Sequence, residues 1–299
     1  MAYTYNNYGV RGDDMDFTRL YDILLLGDSF LSGVGVEADE AIDSHLKKEN
    51  WRVLNASEAA TNPIDYFHKL KLLQQYHLRA SHVLVGLFFG NDFQDIAHRN
   101  IEPVLEGRFK EMPLEYGVAS FMKLEKLRYL IYVVFKKTFT RNLFIHEFER
   151  RKRFRTDWCE WFFDHDERLI QEFRRQTYQK MSEAEYLSKS QINAASVAKV
   201  STILNAILRN IPEAGRLHVM LIPDRHYVNG ELSTQYDAMK RLLLNRLDSR
   251  IDVIDLHGKV SSDMYYPNDG HWNKMGHQFV AAYLLRSSFV SPGAIPDPK

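Results

Sequence analysis

The chain has 299 residues, 45% hydrophobic and 26% charged, an ordinary globular composition with length enough for a sizeable core in one large domain or two. Lys+Arg and Asp+Glu each total 39, so the net charge is zero and a polyanionic partner such as nucleic acid is not expected. The single cysteine, Cys159, rules out an internal disulfide, and no stretch is long and apolar enough to span a bilayer. The amino terminus carries no signal-peptide core. As it stands the chain reads as cytoplasmic, or as periplasmic or extracellular if an export signal or anchor has been lost.

The first predicted element is the apolar run Tyr21-Asp22-Ile23-Leu24-Leu25-Leu26, short and closed by Gly27 as a buried parallel strand should be. A helix is expected over 39–49, a short strand over 52–55, and a helix opened by Pro63 that runs through Tyr66, Phe67, Leu70 and Leu73. Residues 82–89, rich in Val, Leu and Phe, form a third strand. The pattern then changes. From about 95 to 190 the sequence is charged, aromatic and helical in spacing, with Phe121, Leu124, Leu127, Ile131 and Val134 at three- and four-residue steps. Alternation resumes with a helix over 191–211, a strand over 217–222 ended by Pro223, a helix over 233–247, a strand over 251–255 and a closing helix over 273–286. The expectation is one α/β domain, 1–299, with a central parallel sheet and a helical insertion at about 95–190.

Polar residues stand where these strands end. Ser29 follows the first strand in Gly27-Asp28-Ser29-Phe30. The second is followed by Asn55-Ala56-Ser57-Glu58-Ala59-Ala60, the third by Gly90-Asn91-Asp92, and Asp269-Gly270-His271-Trp272 precedes the last helix. In a parallel sheet the carboxyl ends share one edge, so these residues can converge. Acyl transfer needs a serine, a histidine to take its proton, an acid on the far imidazole nitrogen and donors for an oxyanion. Ser29, His271, Asp269 and Asn91 fill those roles by type. The bland readings are a turn for Gly-Asp-Ser, a helix cap for Asp92, a loop hydrogen bond for Asp28, a packed thiol for Cys159 and a structural His277. Asp95 and His98 also pair an acid with a histidine, but too early in the chain. The spacing of Asp269, His271 and His277 matches no common zinc pattern. No Gly-x-Ser-x-Gly elbow surrounds Ser29, and no phosphate loop is present.

In these blocks the chain resembles the SGNH (GDSL-type) hydrolase superfamily. Gly27-Asp28-Ser29-Phe30 is similar to its first block, Gly90-Asn91-Asp92 to its third, and Asp269-Gly270-His271-Trp272 with Gly276-His277 to its last. The Asp-x-His-Trp form and the lead-in Asn6-Asn7-Tyr8-Gly9-Val10-Arg11-Gly12 resemble the branch of bacterial polysaccharide O-acetyltransferases and acetylesterases, such as the alginate-acetylation proteins. Many members space the acid and histidine as Asp-x-x-His, which would put Asn268 in the acid position; Asp269 is the better fit. The family's second block supplies a glycine whose N–H faces the oxyanion. The aligned residue here is Ala60, which keeps the N–H and would be strained at a positive φ.

The resemblance implies a flavodoxin-like three-layer SGNH fold. It implies catalysis by Ser29, Asp269 and His271, an oxyanion hole of Ser29, Ala60 and Asn91, and no cofactor or metal. The implied substrate is a small-molecule or carbohydrate acyl ester, with water or a sugar hydroxyl taking the acyl group. Two alternatives stay open: a non-catalytic binding or assembly module, and a scaffold whose insertion mediates oligomerisation. Within the insertion, 129–135 is nearly all apolar and 141–155 is basic, with Phe144, Phe148 and Phe154 interleaved. A helical layer on the sheet is the favoured reading, and a lid or peripheral membrane helix the sharper one.

Overall fold

The apolar runs become one five-stranded parallel sheet in the computed structural model, which describes residues 11–106, 193–228, 232–267 and 269–287. Strands β1 (Leu20–Leu26), β2 (Val53–Asn55), β3 (Arg79–Phe88), β4 (Arg216–Ile222) and β5 (Asp252–Asp255) lie in the order β2-β1-β3-β4-β5, every pairing parallel. This is the flavodoxin-like doubly wound order, and such sheets bind ligands outside the strand carboxyl ends where the order reverses, here between β1 and β3. The α/β fold with a central parallel sheet is the one the sequence predicts.

Two helical layers cover the sheet. The longer helices are α2 (Ile42–Lys48), α3 (Pro63–Gln75), α6 (Ala194–Asn210), α8 (Ser233–Leu244) and α9 (Lys274–Arg286), with short turns α1 (Ser29–Ser32), α4 (Gln94–Ala97), α5 (Glu102–Leu105) and α7 (Arg225–Val228). Ile23, Leu25, Leu84, Met220 and Ile222 share one sheet face and pack with Ile42 and Leu46 of α2 and Val280, Ala281 and Leu284 of α9. Strand alternation sends Leu24, Val83, Val85, Val219 and Leu221 to the opposite face, the side of α3 and α6. Local chemistry fixes the helix starts. Asn62 accepts from Ile64 N ahead of Pro63, Asn193 accepts from Ser196 N, and Asn273 accepts from Gly276 N.

Two predicted elements differ. The helix expected over 39–49 is a 3-10 turn at Ala38–Glu40 followed by α2. Reciprocal capping between Glu37 and Glu40 closes the turn, and Ala41 is extended (φ −70°, ψ 156°). Strand β3 begins at Arg79, ahead of its apolar run, because Leu20 and Tyr21 of β1 pair with Arg79 and Ala80.

The chain divides into two compact units, Met1–Lys110 with Met181–Lys299, and Glu111–Lys180. The second unit lies outside the described residues. So does most of the predicted insertion, with its apolar and basic stretches and Cys159, and so do residues 6–10 of the lead-in. Among the described residues no helix is long and apolar enough to cross a membrane.

Candidate active site

Ser29 is the first residue of α1, reached by a sharp turn at the end of β1. The buried Asp28 caps that turn by accepting from Phe30 N at 3.0 Å. At its other end the Arg11 guanidinium donates to the carbonyls of Ser32 (3.2 Å), Gly33 and Val36 (2.7 Å). Both ends of the serine turn are thus pinned by charged side chains. Phe30 drops behind it into an aromatic cluster. Its ring centroid lies 4.4 Å from Phe88, 5.0 Å from Trp272 in an edge-on arrangement, and 5.2 Å from the His271 ring.

His271 comes from the loop between β5 and α9. Ser29 Oγ lies 2.7 Å from His271 Nε2, and His271 Nδ1 lies 2.5 Å from Asp269 Oδ1. This network fixes the tautomer: Nδ1–H donates to the carboxylate, and Nε2 accepts from the hydroxyl. An acid and a base two residues apart can face each other because Gly270 takes a left-handed φ of +51°, which folds the chain back between them. Asp269 and Ser29, 240 positions apart by their numbers, are brought together with His271 as a continuous hydrogen-bonded line.

The expected oxyanion donors are placed less uniformly. The Ser29 N–H belongs to the first turn of a helix, where no intrahelical carbonyl reaches it. Ala60 is exposed, with φ +61°, the left-handed conformation that a glycine would hold without strain. Its loop is tied to the serine turn, because Glu58 N donates to Gly27 O at 3.0 Å and Thr61 Oγ1 donates to the same oxygen at 3.2 Å. The Asn91 amide donates to Asp95 Oδ2 at 3.0 Å, so one of its two amide hydrogens is engaged and the other is available. Asp95, set aside in the sequence as an early acid, therefore orients Asn91.

No family model and no curated protein matches the chain. Solved structures do. It is similar to the lipase Lip_vut3 from a goat rumen metagenome, at 13% identity over 89% of this chain and 96% of that one, with a TM-score of 0.42. It is also similar to a member of the lipolytic protein G-D-S-L family from Veillonella parvula DSM 2008, at 10% identity over 91% of this chain and 100% of that one, again with a TM-score of 0.42. Likenesses this distant assign no chemistry, which rests on the residues themselves.

Asp92 departs from its helix-cap reading. The cap position of α4 is Phe93, and Asp92 turns inward, fully buried, to accept from Phe88 N at 2.8 Å and from the Tyr66 hydroxyl at 2.9 Å. Burial, reinforced by the nearby Asp28 carboxyl, holds Asp92 well above the usual carboxylate range. Burial likewise pushes Asp28 up to about 6, against the pull of the Phe30 N–H and His271. Two buried carboxyls with raised pKa, Asp28 and Asp92, therefore underlie the serine turn. His277 is structural in placement: it is fully buried edge-on to Trp272, and burial lowers its imidazole to about 3. Among the described residues no group of three or more His, Cys, Asp or Glu side chains is arranged to hold a metal.

Sequence reasoning passed over one pair. At the end of β4, Asp224 Oδ1 lies 2.6 Å from His226 Nδ1 and also accepts from His226 N at 2.9 Å. The available signal was the spacing: Asp-x-His after an apolar strand, as in Asp269-x-His271.

Proposed function

We propose that the chain is a serine-dependent ester hydrolase or O-acyltransferase of the SGNH (GDSL-type) kind, acting on a small acyl ester, with O-acetyl groups on a carbohydrate as one candidate substrate. The observation that carries this reading is the hydrogen-bonded line from Ser29 Oγ through His271 to Asp269, at 2.7 and 2.5 Å. In this mechanism His271 Nε2 takes the Ser29 proton as Oγ attacks the ester carbonyl, and Asp269 stabilises the imidazolium. The Ser29 and Ala60 N–H groups and the Asn91 amide meet the oxyanion; losing one such donor typically costs about 2.7–4 kcal/mol of barrier. Collapse expels the alcohol, protonated by His271, and leaves an acyl-serine. Water, or the hydroxyl of an acceptor, then gives its proton to His271 and takes the acyl group by the reverse sequence.

Hydrolysis of p-nitrophenyl acetate by the wild type and by Ser29→Ala tests the reading. The variant is expected to lose about a thousandfold or more in kcat/KM, and a fluorophosphonate probe is expected to add covalently at Ser29. Equal rates in the two proteins, or no adduct, would overturn it. Acetylated donors assayed with and without free oligosaccharide separate hydrolysis from transfer.

A further inference from the structure

The two expected oxyanion donors outside the serine turn stand on different elements. Ala60 lies on the loop between β2 and α3, and Asn91 on the turn after β3. Their immediate neighbours in the chain, Thr61 and Asp92, meet on one hydroxyl, that of Tyr66. The hydroxyl donates to Asp92 Oδ1 at 2.9 Å and, more weakly, to Thr61 O at 3.4 Å. Tyr66 and Asp92 are both fully buried, and the proposed chemistry uses neither.

Each side of this bridge is anchored. On the Asn91 side, Phe88 N donates to Asp92 Oδ2 at 2.8 Å, so the carboxyl closes the turn that contains Asn91. That turn has little room to shift. Phe89 N donates to Ile222 O and Asp95 N to Asn91 O, both at 2.8 Å, and a Cβ at Gly90 would run into the Phe88 ring. On the Ala60 side, Thr61 leads into Asn62, the cap of α3, whose carbonyl accepts from Tyr66 N at 3.1 Å. The bond from Glu58 N to Gly27 O, 3.0 Å, ties the same loop to the residue two before Ser29. Hydrogen bonds therefore run from the serine turn to the Ala60 loop, and from that loop through Tyr66 and Asp92 to the Asn91 turn.

Donors stabilise an oxyanion when they stand about 2.7–3.1 Å from the place its oxygen will occupy. The gap between the Ala60 N–H and the Asn91 amide thus decides whether both can meet one oxygen. Asp95 aims the Asn91 side chain, whereas the Tyr66–Asp92 bond joins the two stretches of backbone that carry the donors.

We infer that Tyr66 and Asp92 are positioning residues for the oxyanion hole: their hydrogen bond fixes the distance between the Ala60 and Asn91 donors. The inference rests on the esterase reading above and extends it to two residues outside the line of Ser29, His271 and Asp269.

Tyr66→Phe deletes the hydroxyl alone. With p-nitrophenyl acetate it is expected to lower kcat about tenfold while KM stays within about twofold. Phenylboronic acid forms a tetrahedral adduct on a reactive serine, with an oxygen where the oxyanion develops, and its inhibition is expected to weaken about tenfold in the same variant. Asp92→Asn keeps an oxygen for Phe88 N and turns an N–H toward the Tyr66 oxygen, so it is expected to stay within about threefold of wild type. Asp92→Ala keeps neither contact and is expected to match Tyr66→Phe. Tyr21→Phe is the control: it too deletes a buried hydroxyl, one that accepts from Asp16 N at 3.0 Å, at the opposite end of β1 from Ser29. It is expected to leave kcat and boronate inhibition within about twofold. Wild-type kcat and boronate inhibition in Tyr66→Phe and Asp92→Ala would overturn the inference. So would an equal loss in Tyr21→Phe, a loss confined to KM, or Asp92→Asn as impaired as Asp92→Ala. Failure of the esterase reading shows separately, as wild type and Ser29→Ala cleaving p-nitrophenyl acetate alike.

Discussion

Both ends of the sheet carry imidazoles beside carboxylates, and the two ends treat them differently. At the carboxyl end, His271 sits on a loop and His226 in the short helix α7, both partly exposed and each within 2.6 Å of a carboxylate oxygen. Toward the amino end, His82 and His218 sit on β3 and β4 themselves, with His82 Nδ1 3.0 Å from His218 Nε2 and His218 Nδ1 3.4 Å from Asp252 Oδ2. His218 is buried, and burial together with His82 and Arg216 lowers its pKa to about 3. His218, on a central strand, inherits the dryness of the core and stays neutral, whereas His271, on a strand-end loop, stays partly exposed beside a carboxylate. Similar residue types thus meet different surroundings by where the backbone sets them.

The largest effect that would sharpen this contrast is at the carboxyl end. Asp269→Asn keeps the shape of the side chain but lets the imidazole adopt the tautomer that cannot accept the Ser29 proton. Hydrolysis of p-nitrophenyl acetate is expected to fall about ten-thousandfold in kcat, with the melting temperature little changed. A loss below about tenfold would mean that Asp269 only packs against His271.

Much of this arrangement is legible in the sequence, for a physical reason. Parallel strands buried on both faces need uninterrupted apolar runs, so 21–26, 82–89 and 217–222 declare themselves, and the Gly or Pro after each of them marks the edge where polar groups gather. Ser29 and Asn91 are found by that rule, and Asp269 and His271 by their place in the loop before the last helix. What escapes it depends on contacts distant in sequence. Asp92 reads as a cap from its neighbours, but Tyr66 and Phe88 N turn it inward. The polar start of β3 at Arg79 exists only because β1 pairs with it. Asp224 and His226 repeat the Asp-x-His spacing after β4, and only the folded chain shows the hydrogen bond between them.

At the amino end the expected effect is on stability, and its sign follows from the lowered pKa of His218. Above about pH 6.5 the imidazole is neutral in both folded and unfolded chains. Between about 6.5 and 3 the unfolded chain takes a proton that the folded chain refuses, so stability falls as the pH drops through that window. The contribution is on the order of 2–3 kcal/mol between pH 7 and pH 4. Asp28, raised to about 6, acts in the opposite sense below pH 6, so the test is a difference between two proteins. Urea unfolding of His218→Gln, which keeps polar atoms but cannot take the proton, is expected to show a shallower acid slope than the wild type and similar esterase activity at pH 7. Identical slopes would break the comparison between the two ends.

The smallest effect probes a backbone cost borne at the carboxyl end. Ala60 holds φ +61°, where an L side chain meets its own backbone. That strain persists because the loop is pinned on both sides, by Glu58 N and Thr61 Oγ1 on Gly27 O, and relaxing Ala60 would pull those bonds away from the serine turn. Ala60→Gly removes the strained Cβ and loosens the unfolded chain, two effects that partly cancel. The relief should dominate, because the left-handed penalty of about 1–2 kcal/mol exceeds the roughly 0.4–1 kcal/mol that glycine costs through the unfolded state. A gain of up to about 1 kcal/mol is expected in urea unfolding. A loss of stability would mean that the loop relaxes around Ala60, and that its N–H is not held in place by the bonds to Gly27.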